Sequence, residues 1–235
     1  MELRTASFNV LADEYLKYGD YSHVDPTLLS EGARTNGIVR VIDDLQADVI
    51  GLQEADLPLL GVLEATENWQ TFWKPKENKT EGLLMLIRKG LEVSNYESRE
   101  YGDGSGFVMQ AMKIGHAVFA NTHIQWAPAE TLQHAGVIQT TELLNYIGAD
   151  DPAVILADCN DRPSGPVKQL LERENFYNVY EDEATATVNH VPAALDILAV
   201  RGLKAVRLGA RYDVATIPNA QLPSDHVPLL ARIEV

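Results

Sequence analysis

Residues 82–124 read GLLMLIRKGLEVSNYESREYGDGSGFVMQAMKIGHAVFANTHI, and this stretch decides the fold class. Segments 82–88, 91–96, 107–114 and 117–124 are apolar and separated by glycine-bearing turns, so four consecutive strands are expected. Four strands with no helix between them do not fit a plain βαβ repeat. Two sheets packed face to face, with helices on the outside, accommodate the pattern.

Upstream, 2–11 alternates in polarity and is expected to form a strand carrying Asn9 near its end. A polar loop with Tyr15, Tyr18 and Tyr21 leads to a helix over 29–45, whose Ile38, Val41, Ile42 and Leu45 share one face. A short buried strand over 48–53 ends in Glu54. It is followed by a helix over 57–65, a strand over 70–73 and a loop over 74–79 with Lys74, Lys76 and Lys79. Downstream, a helix is expected over 129–147, with Leu132, Ile138, Leu143, Leu144 and Ile147 as its apolar positions. Segment 153–157 is a buried strand that runs into Asp158, Cys159, Asn160 and Asp161. A helix over 167–175 and strands over 194–200, 204–208 and 227–235 complete the chain. The last strand follows Pro223-Ser224-Asp225-His226, whose Ser and Asp are turn formers. No repeat, linker or low-complexity segment divides the sequence, so a single domain over 1–235 is expected.

With 46% hydrophobic and 23% charged residues, the 235-residue chain has the composition of a globular protein with a sizeable core. No run reaches the roughly 18 apolar residues of a membrane span, and none has the pattern of a secretion signal. The expectation is a cytoplasmic, monomeric protein without a membrane partner. The single cysteine, Cys159, excludes an intrachain disulfide and reads as a small buried side chain. With 19 Lys and Arg against 34 Asp and Glu, the net charge is −15. Such a chain has little to spare for the basic face that grips a long nucleic acid by its phosphates, unless positive charge is concentrated locally and helped by bound cations. A small substrate, or the end of an oligonucleotide, is compatible with it.

Polar residues recur at the tips of the apolar strands: Asn9, Glu54, His123, Asp158 with Asn160, Asp196, and His226. A carboxylate at Glu54 is costly unless it is paired or binds a metal; a helix N-cap or surface turn is the alternative. Asp158 and Asn160, two apart on an extended segment, leave the same face. One can then bind an attacking water and the other a phosphoryl oxygen, while an Asx turn is the alternative. Asp196, within an apolar strand, needs a strong donor, and His226 is the candidate for an Asp–His pair. His123 is either part of this set or a satisfied core histidine. Oxygen ligands without a histidine cluster suit a hard cation, Mg²⁺ or Mn²⁺. The set is equipment for in-line attack of water on a phosphoester.

In chain order, Ser7-Phe8-Asn9-Val10-Leu11-Ala12, Gly51-Leu52-Gln53-Glu54, Asn121-Thr122-His123, Ala157-Asp158-Cys159-Asn160, Leu195-Asp196-Ile197 and Ser224-Asp225-His226 resemble the motifs of the endonuclease/exonuclease/phosphatase superfamily. Trp126-Ala127-Pro128, Gln139, Pro163-Ser164-Gly165, Pro75-Lys76 before Glu81-Gly82, and Pro218-Asn219 are similar to its deadenylase, nocturnin and Angel branch. The resemblance implies a deoxyribonuclease-like four-layer α/β sandwich, two mixed sheets flanked by helices, with the site where the sheets meet. It also implies Asn9 and Glu54 as a metal-binding pair, and Asp158 and Asn160 as holders of the water and the phosphoryl oxygen. His123 would stabilise the transition state and Asp196 would orient His226; whether Asp158 or His226 takes the water's proton stays open. Two positions depart from the pattern. Ala-Asp-Cys-Asn replaces the usual Gly-Asp-Phe-Asn, and Val191 stands where branch members that grip adenine carry an aromatic.

The function so implied is a Mg²⁺-dependent phosphoesterase acting at RNA 3′ ends or on short oligonucleotides. It would be a 3′–5′ exoribonuclease or a phosphatase of 2′,3′-cyclic ends. The alternative is a small-molecule phosphatase or phosphodiesterase acting on a nucleotide cofactor, an inositol phosphate or a phospholipid headgroup. A catalytically inactive binding module on the same fold is the third reading. For substrate grip, Lys76 or Lys79 is expected to meet a phosphate if their loop overhangs the site, with Trp126 and Pro128 as an apolar wall for the terminal base; a solvated hairpin loop without a partner is the alternative for the lysines.

Overall fold

The computed structural model describes residues 1–30, 32–181, 183–209 and 212–235. In chain order its strands are β1 (Glu2–Asn9), β2 (Val49–Asp56), β3 (Trp69–Pro75), β4 (Glu81–Arg88), β5 (Ser94–Glu100), β6 (Val108–Ile114) and β7 (Ala117–His123). They continue with β8 (Ala153–Asp158), β9 (Tyr177–Asn178), β10 (Ala186–Val188), β11 (Val191–Ala193), β12 (Asp196–Arg201), β13 (Lys204–Arg207) and β14 (Leu229–Glu234). One six-stranded sheet has the order β13-β14-β1-β2-β4-β3, and the other the order β5-β6-β7-β8-β12-β9. Each has a parallel pair at its centre, β1 with β2 and β7 with β8. A parallel pair needs a crossover, and helices α1 (Ala33–Leu45) and α3 (Ala135–Ile147) supply the two. Helix α2 (Leu57–Ala65) follows β2 and α4 (Pro166–Arg173) follows β8, which completes four layers.

Alternation along β8 shows the layering. Val154 and Leu156 share a core with Phe119, Leu198 and the first sheet, whereas Ala153, Ile155 and Ala157 pack with Leu143, Ile147 and Val167 of the helices. Gly51 lies where the sheets come closest. A Cβ there would sit 2.9 Å from Leu156 Cβ and 2.9 Å from Asn121 Oδ1, so any larger residue would force the sheets apart. Polar ties cross the same gap: Gln53 Nε2 donates to Asn121 Oδ1 at 2.8 Å, and Asn121 Nδ2 donates to Leu52 O at 3.0 Å.

The two-sheet sandwich is the one the strand run 82–124 predicts, but several element ends differ, each with a local cause. The helix expected over 129–147 begins only at Ala135, where His134 Nδ1 caps it by accepting from Val137 N at 3.3 Å. Leu132, expected on its apolar face, is fully exposed, and Ile138 is partly so. The helix expected over 29–45 begins at Ala33, after Gly32 at φ +80°; Glu31 lies outside the described residues. The strand expected over 194–200 begins at Asp196, because Thr185 Oγ1 accepts the backbone N–H of both Leu195 and Asp196, at 3.0 and 2.9 Å. The β10–β11 hairpin is an element the sequence pattern does not announce, and a bridge joins Ala186 to His226. Among the described residues, no helix is long and apolar enough to cross a membrane.

Candidate active site

The strand tips converge along one edge of the sandwich. Asn9 ends β1, and His123, Asp158 and Asp196 stand in register across β7, β8 and β12. Glu54 arrives through a bulge: pairing of β2 with β4 shifts between Leu52 and Ala55, and Glu54 itself has φ +57°. A bulge re-aims a side chain, here a carboxylate turned into the gap between the sheets. Asn160, at φ +48°, uses the left-handed conformation that asparagine tolerates. Its N–H donates to Asp158 Oδ1 at 2.9 Å, so the Asx turn exists and leaves Oδ2 facing the site. Ser224 fixes the last loop, with Oγ donating to Asn9 O at 2.8 Å and accepting from His226 N at 3.1 Å.

The side chains then meet. Asn9 Nδ2 donates to Glu54 Oε1 at 3.0 Å and to Asp158 Oδ2 at 2.9 Å, linking the two sheets. Glu54 Oε2 accepts from Ala12 N at 2.9 Å. His226 Nδ1 lies 3.0 and 2.9 Å from the two Asp196 oxygens, and Nε2 lies 3.8 Å from Asp158 Oδ2. The sequence-based expectation of an Asp196–His226 contact near Asp158 is thus met as geometry. His123 Nε2 is 3.6 Å from Asp158 Oδ2, and its Nδ1 is 3.8 Å from Glu54 Oε1. Asn160 Nδ2 lies 2.9 Å from His123 Nε2.

Burial controls the protonation of this set. It pushes the Glu54 carboxyl up to about 7, against the pull of the Asn9 and Ala12 bonds. Burial, followed by the charge of Asp196, pushes Asp158 up to about 6. Burial holds His123 well below the usual imidazole range, and the charges of Lys76 and His226 add to it. For His226 burial acts downward too, but Asp196 and Asp158 outweigh it and raise the imidazole well above its usual value.

Among the described residues, two groups offer metal-ligand atoms within 4.8 Å of one another: Glu54, His123 and Asp158, and Asp158, Asp196 and His226. The carboxylates of Glu54 and Asp158 are buried, and their hydrogen bonds come from the neutral amides of Asn9, Ala12 and Asn160. A divalent cation would offset the desolvation that such amides leave uncompensated. The donor set, mainly oxygen, fits a hard ion.

Above the site opens a cleft of about 680 Å³, lined among others by Tyr15, Tyr18, Tyr21, Trp126 and His190, with Glu54, Asn160 and His226 at its floor. Among the described residues, no lysine or arginine lines it. Trp126 is 65% exposed and stands in the cleft wall, whereas Pro128 is exposed outside it. The lysine loop does not overhang the site. Strand β3 extends to Pro75, and Lys76 N bonds Glu81 O at 3.1 Å, closing the hairpin so that Lys76 turns inward. Lys76 is 4% exposed and pairs with Glu81 at 2.9 Å. The Lys79 ammonium lies 3.5 Å from Glu14 and lines a separate groove with Leu57 and Trp73. Glu81, Ser224 and Thr185 support the site without any sequence signal beyond Glu81-Gly82 and Ser224 lying within quoted motifs. Cys159 is buried, and burial pushes its thiol well up, so it is no nucleophile.

The model of the endonuclease/exonuclease/phosphatase family matches residues 6–226, so the chain belongs to that family and is a phosphoester hydrolase. No curated protein matches it significantly. Among solved structures, it is similar to ANGEL2, a 2′,3′-cyclic phosphatase, in complex with adenosine-2′,3′-vanadate. The TM-score is 0.83 at 18% identity, over 99% of this chain and 95% of that one. The human nocturnin catalytic domain with bound sulfate matches with a TM-score of 0.76 at 18% identity, over 99% of this chain and 93% of that one. Truncated Caenorhabditis elegans TDP2 matches with a TM-score of 0.68 at 15% identity, over 100% of this chain and 98% of that one. At these identities the likeness carries the fold alone.

Proposed function

We propose that the chain hydrolyses a phosphoester at the 3′ end of RNA or of a short oligonucleotide, a 2′,3′-cyclic phosphate included, with Mg²⁺ or Mn²⁺ as cofactor. The observation that carries the substrate class is the cleft, walled by rings and, among the described residues, free of lysine and arginine. A base stacked on such a ring gains about 1–3 kcal/mol, whereas a run of phosphates needs cations. The likeness to ANGEL2 over nearly the whole chain supports the same reading. A mononucleotide-sized phosphoester fits these walls too, and the net charge of −15 favours it over any polyphosphate.

Glu54 would hold the cation, beside Asp158; Asn9 turns Nδ2 to both carboxylates while its Oδ1 accepts from Leu11 N at 3.0 Å, so it would become a ligand only with its amide turned over. When bound, the cation polarises the phosphoryl oxygen and steadies the leaving group. Asn160 and His123 face the place of the phosphoryl oxygen. A water beside Asp158 would form the new P–O bond as the ester P–O bond in line with it breaks; the water's proton would pass into the Asp158–His226 pair and the leaving oxygen would take a proton from solvent. Asp196 holds Nδ1 of His226, which leaves Nε2 facing Asp158.

A panel of RNA trinucleotides ending in 3′-hydroxyl, 3′-phosphate or 2′,3′-cyclic phosphate, with DNA and a dinucleotide cofactor beside them, tests the substrate class. The expected result is turnover of short ends with a shallow salt dependence of KM. A preference for long RNA with a steep salt slope would contradict it.

Metal binding should depend on pH with a definite sign. The cation needs Glu54 and Asp158 ionised, and their values of about 7 and about 6 make protons compete below neutrality. Between pH 8 and 5.5, Mg²⁺ affinity should fall roughly thirtyfold through Glu54 alone. Titration calorimetry at the two pH values reads this directly, and a flat affinity would contradict it.

A further inference from the structure

Gln139, fully buried near the start of α3, makes contacts that the scheme above does not use. Its Nε2 donates to Asp103 Oδ2 at 2.8 Å and to Ser105 Oγ at 3.1 Å. On the other side its Oε1 accepts the backbone N–H of Gln125 at 2.9 Å. Each partner demands this orientation of the amide. A carboxylate accepts, a backbone N–H donates, and Ser105 Oγ spends its own proton on Asp103 Oδ1 at 2.6 Å.

Gln125 precedes Trp126, the exposed ring of the cleft wall. The peptide unit that joins Ile124 to Gln125 is held at both of its polar atoms. Its carbonyl accepts from Asn160 Nδ2 at 3.0 Å, and its N–H is the one bound by Gln139. Beyond it, the N–H groups of Trp126, Ala127, Ala129 and Glu130 have no partner among the described residues, and the next backbone bond runs from Thr131 N to Pro128 O at 3.0 Å. The Gln125 bond is therefore the last anchor before the ring.

We propose that Gln139 is a positioning residue that sets Trp126 in the cleft wall and thereby determines how tightly the terminal base is gripped. The proposal rests on the substrate reading above. Gln139 itself does not line the cleft and reaches no ligand. A ring already in place gives a base its full stacking, whereas a ring ordered only on binding returns part of that gain as lost conformational freedom. The anchor thus acts on substrate affinity and leaves the chemical step alone.

The test compares Gln139→Met, which keeps the length and removes both ends of the tie, with Trp126→Ala and the double variant. Titration calorimetry with adenosine 3′-monophosphate in Mg²⁺ reads binding. Trp126→Ala should weaken it about tenfold and Gln139→Met about three- to tenfold, with the double variant no weaker than Trp126→Ala alone. On an RNA trinucleotide with a 2′,3′-cyclic phosphate end, Gln139→Met should raise KM by a similar factor with kcat within about twofold. Amide exchange of wild type, which needs no variant to fold, should find Gln125 protected while Trp126 and Ala127 exchange freely. An unprotected Gln125, binding untouched by Trp126→Ala, losses that multiply in the double variant, or a fall in kcat at constant KM would each overturn the proposal. If exchange and binding come out as expected while wild type cleaves no phosphoester, the phosphoesterase reading fails and the positioning of Trp126 stands.

Discussion

Asp196→Asn should lower kcat by about 10³–10⁴-fold and leave KM within a few fold. His226 Nδ1 meets both Asp196 oxygens, so its N–H points there and Nε2 is the nitrogen turned to Asp158. An asparagine can present its amide N–H to Nδ1 instead. The neutral ring then keeps its one proton on Nε2, and the Asp158–His226 pair loses the second ring proton that the raised wild-type imidazole holds. The same change removes the largest of the three carboxylate charges that raise the His226 imidazole, those of Asp196, Asp158 and Asp225, so its titration should move down. The fold should survive, because the Asp196 backbone N–H keeps its bond to Thr185. Steady-state kinetics and an NMR titration of His226 check the two halves, and a kcat within tenfold of wild type contradicts the pair.

Glu54→Gln should reduce kcat/KM in Mg²⁺ by at least about 10³-fold, since the variant keeps the shape and loses the charge that holds the cation. It should also flatten a pH dependence of stability. Burial raises the folded Glu54 carboxyl from 4.5 to about 7. Its contribution is therefore fully present below about pH 4.5 and is lost as pH rises through about 7, a change on the order of 3 kcal/mol. Asp158, raised from 3.8 to about 6, acts in the same direction. Metal-free wild type should lose stability between pH 5 and 8 and regain it on adding Mg²⁺ at pH 8. The variant should lose less and respond weakly to the metal. Thermal melts at both pH values, with and without the ion, decide this; equal responses of the two proteins to Mg²⁺ would remove Glu54 from the metal site.

The sandwich and the gathering of the polar tips are legible in sequence for one reason. Asn9, His123 and Asp158 each close an apolar strand, and strands that run parallel bring their ends to the same edge. Asp196 joins them because β12 runs antiparallel and starts where β8 ends. Lys76 is not legible in this way. Three lysines in six residues look like a solvated loop, and charge density along a chain does not say which side chain a hairpin turns inward. That depends on β3 reaching Pro75 and on the buried partner Glu81. Leu132 shows the complementary failure, since helical periodicity continues through residues that a cap at His134 excludes from α3. The β10–β11 hairpin, with three-residue strands, is too short for any period to register. Asn189 and His190 at its turn both have positive φ, at 48° and 66°, and only the asparagine hints at that. Yet this hairpin supplies Val188 and His190 to the cleft wall.

The most direct test of the account is turnover of an RNA trinucleotide with a 2′,3′-cyclic phosphate end, in Mg²⁺ and ¹⁸O-labelled water, with and without excess EDTA. The account predicts cleavage that puts one ¹⁸O on the product phosphorus for each P–O ester bond hydrolysed and stops when EDTA removes the metal. Failure to cleave this substrate, or any other phosphoester of the panel, with Mg²⁺ or Mn²⁺ would contradict it, as would full activity in EDTA.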